Sequence, residues 1–358
     1  MTRVHNFNAG PSAIPLVALE QAQRELLEFE GTGMSILEHS HRGKAFEKVH
    51  DETLGLIKKL MAVPDTHDVL LLQGGAHAQF AMIPMNLLPA GKSADYVLTD
   101  GWSDRAYEEC KNVGAARVAG KIEGYGRIPR ADELSLHADA AYVHVTSNGT
   151  LSGTQWHEFP ETAAPLVADM SSDILSRPVD VSKFALIYAG AQKNIGPSGI
   201  TVVVIKKDAI AAGRTDIPKY FRYSTHAKER SLYNTPPTFS IYLARNVLRW
   251  LDAEGGVAAM AEKNRKKTDL LYAAIDARPD FYRAPVDKAS RSRMNVVFRL
   301  PTEELDTKFC AEAEKAGMVG LKGHRSVGGV RASTYNAVPH ASVEALVAFM
   351  DEFARKAG

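Results

Sequence analysis

Tyr188-Ala-Gly-Ala-Gln-Lys193-Asn-Ile-Gly-Pro-Ser-Gly199 is a glycine-rich loop that carries one lysine between two apolar runs. Phe184-Ala-Leu-Ile-Tyr188 leads into it and Ile200-Thr-Val-Val-Val-Ile205 leads out. Both runs are uncharged, rich in branched residues and bounded by turn residues, so both are predicted as short buried strands. A lysine held between buried strands is hard to keep solvated as an ammonium. Burial disfavours the charged form and lowers the pKa, and a neutral amine can attack a carbonyl. Such an amine is a Schiff-base nucleophile. Taken alone, a lysine in a loop is more often simply a surface residue.

A second feature weakens that plain reading. Pro165-Leu-Val-Ala-Asp169-Met-Ser171-Ser172 is an apolar run ending in an aspartate, 24 residues before Lys193. The spacing suits one strand-to-strand excursion in an α/β sheet and sets a carboxylate at a strand end. A lysine to hold an aldehyde and an acid beside a pyridinium nitrogen is the pair that pyridoxal phosphate chemistry requires.

At 358 residues the chain predicts two domains. Its composition, 45% hydrophobic and 24% charged, is that of a water-soluble globular protein. A net charge of +1 gives no general attraction to nucleic acid or to an anionic membrane. Cys110 and Cys310 form neither a disulfide framework nor a metal-ligand spacing, which suits a reducing cytoplasm. No metal site is expected. The first residues, Met-Thr-Arg-Val-His-Asn-Phe, lack an apolar core, so no signal peptide is expected, and no apolar run is long enough to span a membrane.

Along the chain, Gly10-Pro11 and Pro15 predict an extended or turning start, followed by a helix from Leu16 to about Glu30. Ser40-His41-Arg42-Gly43-Lys44 reads as a basic loop before an amphipathic helix over Ala45–Met61. The strand Asp68–Gln73 runs into Gly74-Gly75-Ala76-His77, a turn that opens a helix. Backbone N–H groups and the positive end of a helix dipole there suit a phosphate, although a plain tight turn reads equally well. The strand Ala94–Leu98 ends near Trp102, and Ala140–Val145 ends in Thr146-Ser-Asn148-Gly149-Thr150. Strands alternating with helical stretches argue for an open, mostly parallel sheet, whose ligands sit outside the strands' carboxyl ends. The loops at 74–80, 101–103, 146–150, 169–172 and 190–199 are therefore expected to line one crevice.

Pro236-Pro237 excludes helix before a predicted helix over Ser240–Ala253. Val257–Asp276, with its basic run Lys263–Lys267, reads as a long solvated helix, and the change of domain is placed near residue 260. Beyond it, a strand at Met294–Leu300, a helix at Thr302–Ala316, a short strand at Met318–Leu321 and a final helix at Ala341–Lys356 are expected. Lys322-Gly-His324-Arg325 and Arg331 lie in a glycine-rich stretch between them. Arginine's planar fork suits a carboxylate or phosphate, with a surface ion pair as the alternative.

Several long motifs now carry a resemblance over nearly the whole chain: Ser40-His-Arg-Gly-Lys44, Ile174-Leu-Ser-Arg-Pro178, Ala189-Gly-Ala-Gln-Lys-Asn-Ile-Gly-Pro197, Asn234-Thr-Pro-Pro-Thr-Phe239 and Gly323-His-Arg325. The chain resembles the phosphoserine aminotransferases, a class V, fold type I pyridoxal phosphate family of serine biosynthesis. The resemblance implies a large domain over 16–260 with a mostly parallel seven-stranded sheet. A smaller α+β domain, 261–358 together with 1–15, would complete the chain. Lys193 would be the Schiff-base lysine and proton carrier, and Asp169 would keep the pyridinium nitrogen protonated. Trp102 would stack on the ring, Thr150 would meet the ring hydroxyl side, and Ser171 would join the cofactor contacts. Gln192 and the backbone at Ala76 and His77 would seat the phosphate. Asn234 and Thr235 would reach it from a second subunit, implying a homodimer with shared sites in the cytoplasm. Arg331 would clamp the α-carboxylate, and His41, Arg42, His324 and Arg325 would face the substrate's other anionic group.

The reaction so implied moves the amino group of L-glutamate to 3-phosphohydroxypyruvate. A related use in pyridoxine synthesis, forming 4-phosphohydroxy-L-threonine, is a further possibility within the family. Gly74-Gly-Ala-His-Ala78 departs from the Gly-Gly-Gly-Arg-Gly of some members, which leaves the backbone contact and replaces a fixed charge with a titratable one. The rivals are a small-substrate transaminase, a cysteine desulfurase and a ligand-binding module with degraded chemistry. The first would not need the extra cations, neither cysteine is placed for the second, and the third predicts loss of Lys193 or Asp169.

Overall fold

The computed structural model describes residues 3–325 and 327–357. The chain begins with β1 (His5–Asn6), α1 (Leu16–Arg24) and α2 (Lys44–Leu60). Strand and helix then alternate through β2 (His67–Leu72), α3 (Gly75–Leu87), β3 (Ser93–Leu98), α4 (Gly101–Lys111) and β4 (Ala115–Lys121). Four short strands follow: β5 (Val143–Thr146), β6 (Leu166–Asp169), β7 (Leu186–Gly190) and β8 (Thr201–Lys206). Helices α5 (Lys207–Ala211), α6 (Tyr223–Lys228), α7 (Thr238–Ala253) and α8 (Gly256–Asp276) come next. The last part holds β9 (Asn295–Phe298), α9 (Glu303–Lys315), β10 (Met318–Val319), β11 (Val330–Ser333) and α10 (His340–Ala357).

Seven strands form one sheet in the order β2-β8-β7-β6-β5-β3-β4. Only β8 runs against its neighbours, so the sheet is mostly parallel, as expected. Its central strands are apolar on both faces because helices cover both. One face packs on α1, α2 and α7, with Phe46, Val49, Ile241 and Leu248 fully buried. The other packs on α3, α4 and α6 through Phe80, Ala106 and Tyr223. The register sets Thr146 beside Asp169, and Asp169 beside Tyr188.

A third core, separate from these two, gathers around the antiparallel pair β9 and β11 with α9 and α10. The parallel pair β1 and β10 joins residues 5–6 to this end of the chain, and Phe7 is buried in the same core.

Three differences from the sequence reading have a clear physical reason. Helix α1 stops at Arg24, short of Glu30. Beyond it Phe29 must turn inward to meet Tyr242 edge-on at 5.8 Å, and Glu30 takes a left-handed φ of 49°. Strand β4 escaped the reading because Ala115-Ala-Arg-Val-Ala-Gly-Lys121 is small and polar, as suits a strand at a sheet edge.

The third concerns α8, which is not solvated throughout. It passes unbroken through residue 260, burying Val257 and Met260 in one core and Leu271 and Ile275 in another. Within its basic run Lys267 is 2% exposed. Its ammonium donates to the carbonyl oxygens of Thr334 (3.0 Å), Tyr335 (2.8 Å) and Val338 (3.1 Å). Burial pushes its pKa down to about 7. A buried carbonyl that loses its donor costs about 1–3 kcal/mol. Lys267→Met is therefore expected to destabilise the chain by roughly 3 kcal/mol or more, read from urea unfolding. A loss below about 1 kcal/mol would show that the three carbonyls do not depend on this lysine.

Candidate active site

In a sheet of this kind the loops at the carboxyl ends of the strands converge, and they do so here around Lys193. A cavity of about 290 Å³ is lined from five such loops by Ala76 and His77, by Trp102, by Thr150, by Asp169 and Ser171, and by Gln192 and Lys193. The expected convergence is observed. The C-terminal part adds His324 and Arg331, and the N-terminal segment adds Ala9 and Gly10.

Lys193 sits in the connection between β7 and β8, an antiparallel pair closed just beyond the strands by Ala191 N–H donating to Ile200 O at 3.0 Å. Its amine donates to Thr150 Oγ1 at 2.7 Å. Burial pushes the Lys193 pKa down to about 8, opposed by the charges of Asp169 and Asp100. Gly10 packs against the lysine stem, where a Cβ would stand 3.6 Å from Lys193 Cε and Cγ. The Lys193 carbonyl accepts from Ser12 Oγ at 2.5 Å, so the N-terminal segment clamps the loop from above.

Asp169 ends β6 and is 4% exposed. Burial raises its pKa, while hydrogen bonds from Ser171 and the charge of Lys193 pull it back. Ser171 N–H donates to Asp169 Oδ1 at 2.8 Å, and Gly190 N–H donates to Ser171 Oγ at 3.1 Å, which locks the two strand ends together. Buried Asp100, which sequence reasoning passed over, caps α4 through Gly101 N–H at 2.7 Å and holds Leu151 N–H at 3.0 Å. Burial pushes its pKa up to about 6. It thereby fixes the helix that presents Trp102 and the loop that presents Thr150.

Gly74, at φ 90°, makes the left-handed turn that starts α3, so the first N–H groups of that helix face the cavity at Ala76 and His77. The His77 ring meets Trp102 edge-on at 5.5 Å. Arg331, on β11, donates to the Thr150 carbonyl at 3.2 Å, and burial lowers its pKa. His324 is pushed down by burial and by Arg331 and Arg325.

Five expected residues stand apart. His41 and Arg42, before α2, and Asn234 and Thr235, before α7, do not line the cavity of their own chain. Arg325 is exposed and lies outside the cavity lining, next to His324. Ala9, Gly10 and Asn148 line the cavity but were not singled out in the sequence. Gly10-Pro11 alone hinted at a fixed segment.

The chemistry of this donor set fits pyridoxal 5′-phosphate. It offers one amine of lowered pKa, one buried carboxylate, an indole and a helix N-terminus. Three buried polar atoms here, Trp102 Nε1, Thr146 Oγ1 and Arg331 Nε, have no hydrogen-bond partner among the described residues, as expected of a cradle for a polar group.

The model of the class-V aminotransferases matches residues 4–346. A phosphoserine aminotransferase of Geobacillus kaustophilus is 56% identical over 358 residues, covering 99% of each chain. The solved phosphoserine aminotransferase from Bacillus circulans subsp. alkalophilus superposes with a TM-score of 0.98 at 51% identity, over 99% of each chain. A pyridoxal phosphate-bound phosphoserine aminotransferase from Trichomonas vaginalis gives 0.94 at 38% identity, over 98% of this chain and 100% of that one. The chain belongs to the class-V aminotransferase family and, within it, to the phosphoserine aminotransferases.

Proposed function

We propose that the chain is a pyridoxal phosphate-dependent transaminase that moves the amino group of L-glutamate to 3-phosphohydroxypyruvate, yielding O-phospho-L-serine and 2-oxoglutarate for serine biosynthesis. The observation that carries this reading is the pairing, in one cavity, of a half-buried lysine of lowered pKa and a buried carboxylate with a nearby arginine and histidine. When bound, the cofactor supplies an aldehyde for amine exchange and a protonated ring that takes up the electron pair left at Cα. Asp169 holds the proton on the ring nitrogen. Trp102 covers a ring face, and Thr150 and Ser171 fix the ring's edge. Gln192 and the N–H groups at Ala76 and His77 hold the phosphate. Lys193, freed from water and oriented by Thr150, moves the proton at Cα as general base and then acid. Arg331 clamps the α-carboxylate, and His324 and Arg325 face the second anionic group. A four-carbon phosphorylated keto acid presents the same two charged ends, so formation of 4-phosphohydroxy-L-threonine belongs to the same site.

We further propose a homodimer with shared sites in a reducing cytoplasm. His41, Arg42, Asn234 and Thr235 would complete the partner's cavity, since they lie outside their own. Large apolar side chains remain uncovered on this chain, among them Leu27 (85% exposed), Leu37 and Tyr233. Cys110 is buried in α4, and burial raises the thiol pKa of both cysteines.

Protein loaded with pyridoxal 5′-phosphate should show an absorbance band that bleaches with O-phosphoserine but not with alanine, and Lys193→Ala should not respond. A response to alanine instead would move the substrate class to small amino acids, and no band at all would sink the reading. Lys193 has a folded pKa of about 8, below its unfolded 10.5, so its neutral fraction rises as pH passes 8. Loading should therefore rise with pH and level off above about 8, and cofactor-free protein should gain stability between about 8 and 10.5, where the unfolded chain binds more protons. Loading that keeps climbing to pH 10 would place the amine in water. Lys193→Ala mixed with Asn234→Ala should regain activity by forming hybrid dimers with one intact site, and an inactive mixture that sediments as a dimer would mean each chain is self-sufficient.

A further inference from the structure

Asn148 lines the cavity, yet the reaction as described gives it no part. It stands just past the end of β5, on the way to Thr150, and is 1% exposed. Every polar atom of its side chain is engaged. Nδ2 donates to Ser172 Oγ at 2.8 Å, just past the end of β6, and to Asn295 Oδ1 at 2.8 Å, on β9. Oδ1 accepts from Ser292 Oγ at 2.5 Å, in the connection that leads into β9. One amide thus ties the ends of two strands of the seven-stranded sheet to the antiparallel pair β9 and β11.

The surroundings leave this amide one orientation. Ser292 Oγ already accepts from the N–H groups of Met294 (2.9 Å) and Asn295 (2.8 Å), so its own proton goes to Asn148 Oδ1. Ser172 Oγ donates to the Asn148 carbonyl at 2.8 Å and can only accept from the side chain. Asn295 in turn donates through Nδ2 to Ser333 Oγ (2.9 Å) and Tyr335 Oη (3.2 Å), which leaves its Oδ1 for Asn148. Tyr335 Oη donates to the carbonyl of Ala9 at 2.9 Å, so the chain of bonds ends on the N-terminal segment at the cavity. A flipped Asn148 would set its oxygen against two acceptors. Asn148, Ser292, Asn295, Ser333 and Tyr335 are all buried, so no water makes good a bond lost here.

The pair of strands that this joint holds also carries Arg331. In the antiparallel register Asn295 lies opposite Ser333 and Val297 opposite Arg331, so Asn295, Ser333 and Arg331 project from one face. Two residues along a strand span about 7 Å, which makes the lever from Asn295 to Arg331 a short one. We propose that Asn148 is a positioning residue for the reaction, which through Asn295 sets the place of Arg331 relative to Lys193 and so the approach of the substrate's Cα to the amine. The proposal rests on the reading that Arg331 clamps the α-carboxylate while Lys193 moves the proton at Cα. A guanidinium can hold a carboxylate wherever its strand lies. Proton transfer is stricter, because Cα must come within reach of one amine, and a misplacement of about 1 Å lowers the rate by about a hundredfold.

The test uses the loaded enzyme with Asn148→Ala, Asn295→Ala and the double variant, each also made together with Arg331→Lys, which keeps the charge and loses the planar fork. Cofactor affinity is read by tryptophan fluorescence, and the half-reactions with L-glutamate and O-phosphoserine are timed by the cofactor band. Asn148→Ala and Asn295→Ala should each lower kcat/KM in both half-reactions by about tenfold or more, with cofactor affinity within about threefold of wild type. The double variant should stay within about twofold of Asn148→Ala, because both changes break one joint. Combined with Arg331→Lys, each should lower kcat/KM by less than about threefold further, since the clamp it positions is already lost. A kcat/KM within twofold of wild type in both single variants would overturn the joint. So would losses that multiply in the double variant, losses undiminished beside Arg331→Lys, or losses confined to cofactor affinity, which would mark Asn148 as a support for the Thr150 loop alone. If Asn148→Ala does not fold, Asn295→Ala decides by the same two comparisons with wild type and Arg331→Lys. A wild-type chain with no Lys193-dependent band, or an Arg331→Lys enzyme as fast as wild type, takes down the underlying reading and the joint together. A normal wild type and a slow Arg331→Lys, with Asn148→Ala and Asn295→Ala unaffected, take down the joint alone.

Discussion

An ammonium stripped of water is the constraint on which this molecule turns. Lys193 is half-buried, and desolvation of its amine is the main cause that lowers its pKa to about 8. Two carboxylates, Asp169 and Asp100, resist the fall, and Thr150 takes the amine's hydrogen bond. Neither acid could serve on a flexible loop. Each stands at or just past the end of a strand, at Asp169 on β6 and Asp100 after β3, where the sheet fixes direction and distance. Packing on both faces of the sheet is what keeps this arrangement dry enough to matter, since charges interact far more strongly away from water.

The rest of the chain closes the crevice from two further directions. The N-terminal segment is tied to β10, passes over Lys193 at Gly10 and bonds its carbonyl through Ser12. Beyond Arg331 the chain is pinned from behind. Asn336 N–H donates to Asn194 Oδ1 at 3.0 Å, Asn264 of α8 donates to Asn336 Oδ1 at 2.8 Å, and Lys267 holds the neighbouring carbonyls. One helix therefore braces both the strand that bears Arg331 and the loop that bears Lys193. Each contact is an ordinary hydrogen bond. Their value lies in being buried and mutually satisfied.

Much of this was legible in the sequence, for a physical reason. The strands of a sheet covered on both faces must be continuous apolar runs, and such runs stand out in any reading, as 184–188 and 200–205 did. Their ends were equally clear, because glycine and polar residues mark where the sheet stops. What escaped was whatever depends on contacts distant in sequence. Lys267 lies in a basic run that looks solvated, and only carbonyls about seventy residues away make it a buried brace. Strand β4 has an edge strand's composition and no signal of its own. Asp100 reads as a loop residue until α4 is seen to start on it. His41, Arg42, Asn234 and Thr235 were legible only through family motifs, since nothing in one chain brings them to the cavity.

The division of labour between the two sheets bears on how such a protein can change. Lys193, Asp169 and Trp102 are presented by the seven-stranded sheet and its flanking loops, whereas Arg331 rides on the small antiparallel pair and His324 on the loop before it. The two sets are nonetheless coupled, because Arg331 donates to the carbonyl of Thr150, whose hydroxyl takes the amine's hydrogen bond, and its charge helps to lower the Lys193 pKa. A substitution at Arg331 therefore changes the readiness of the amine along with the charge of the cavity, whereas a change at the sheet ends moves several buried partners at once.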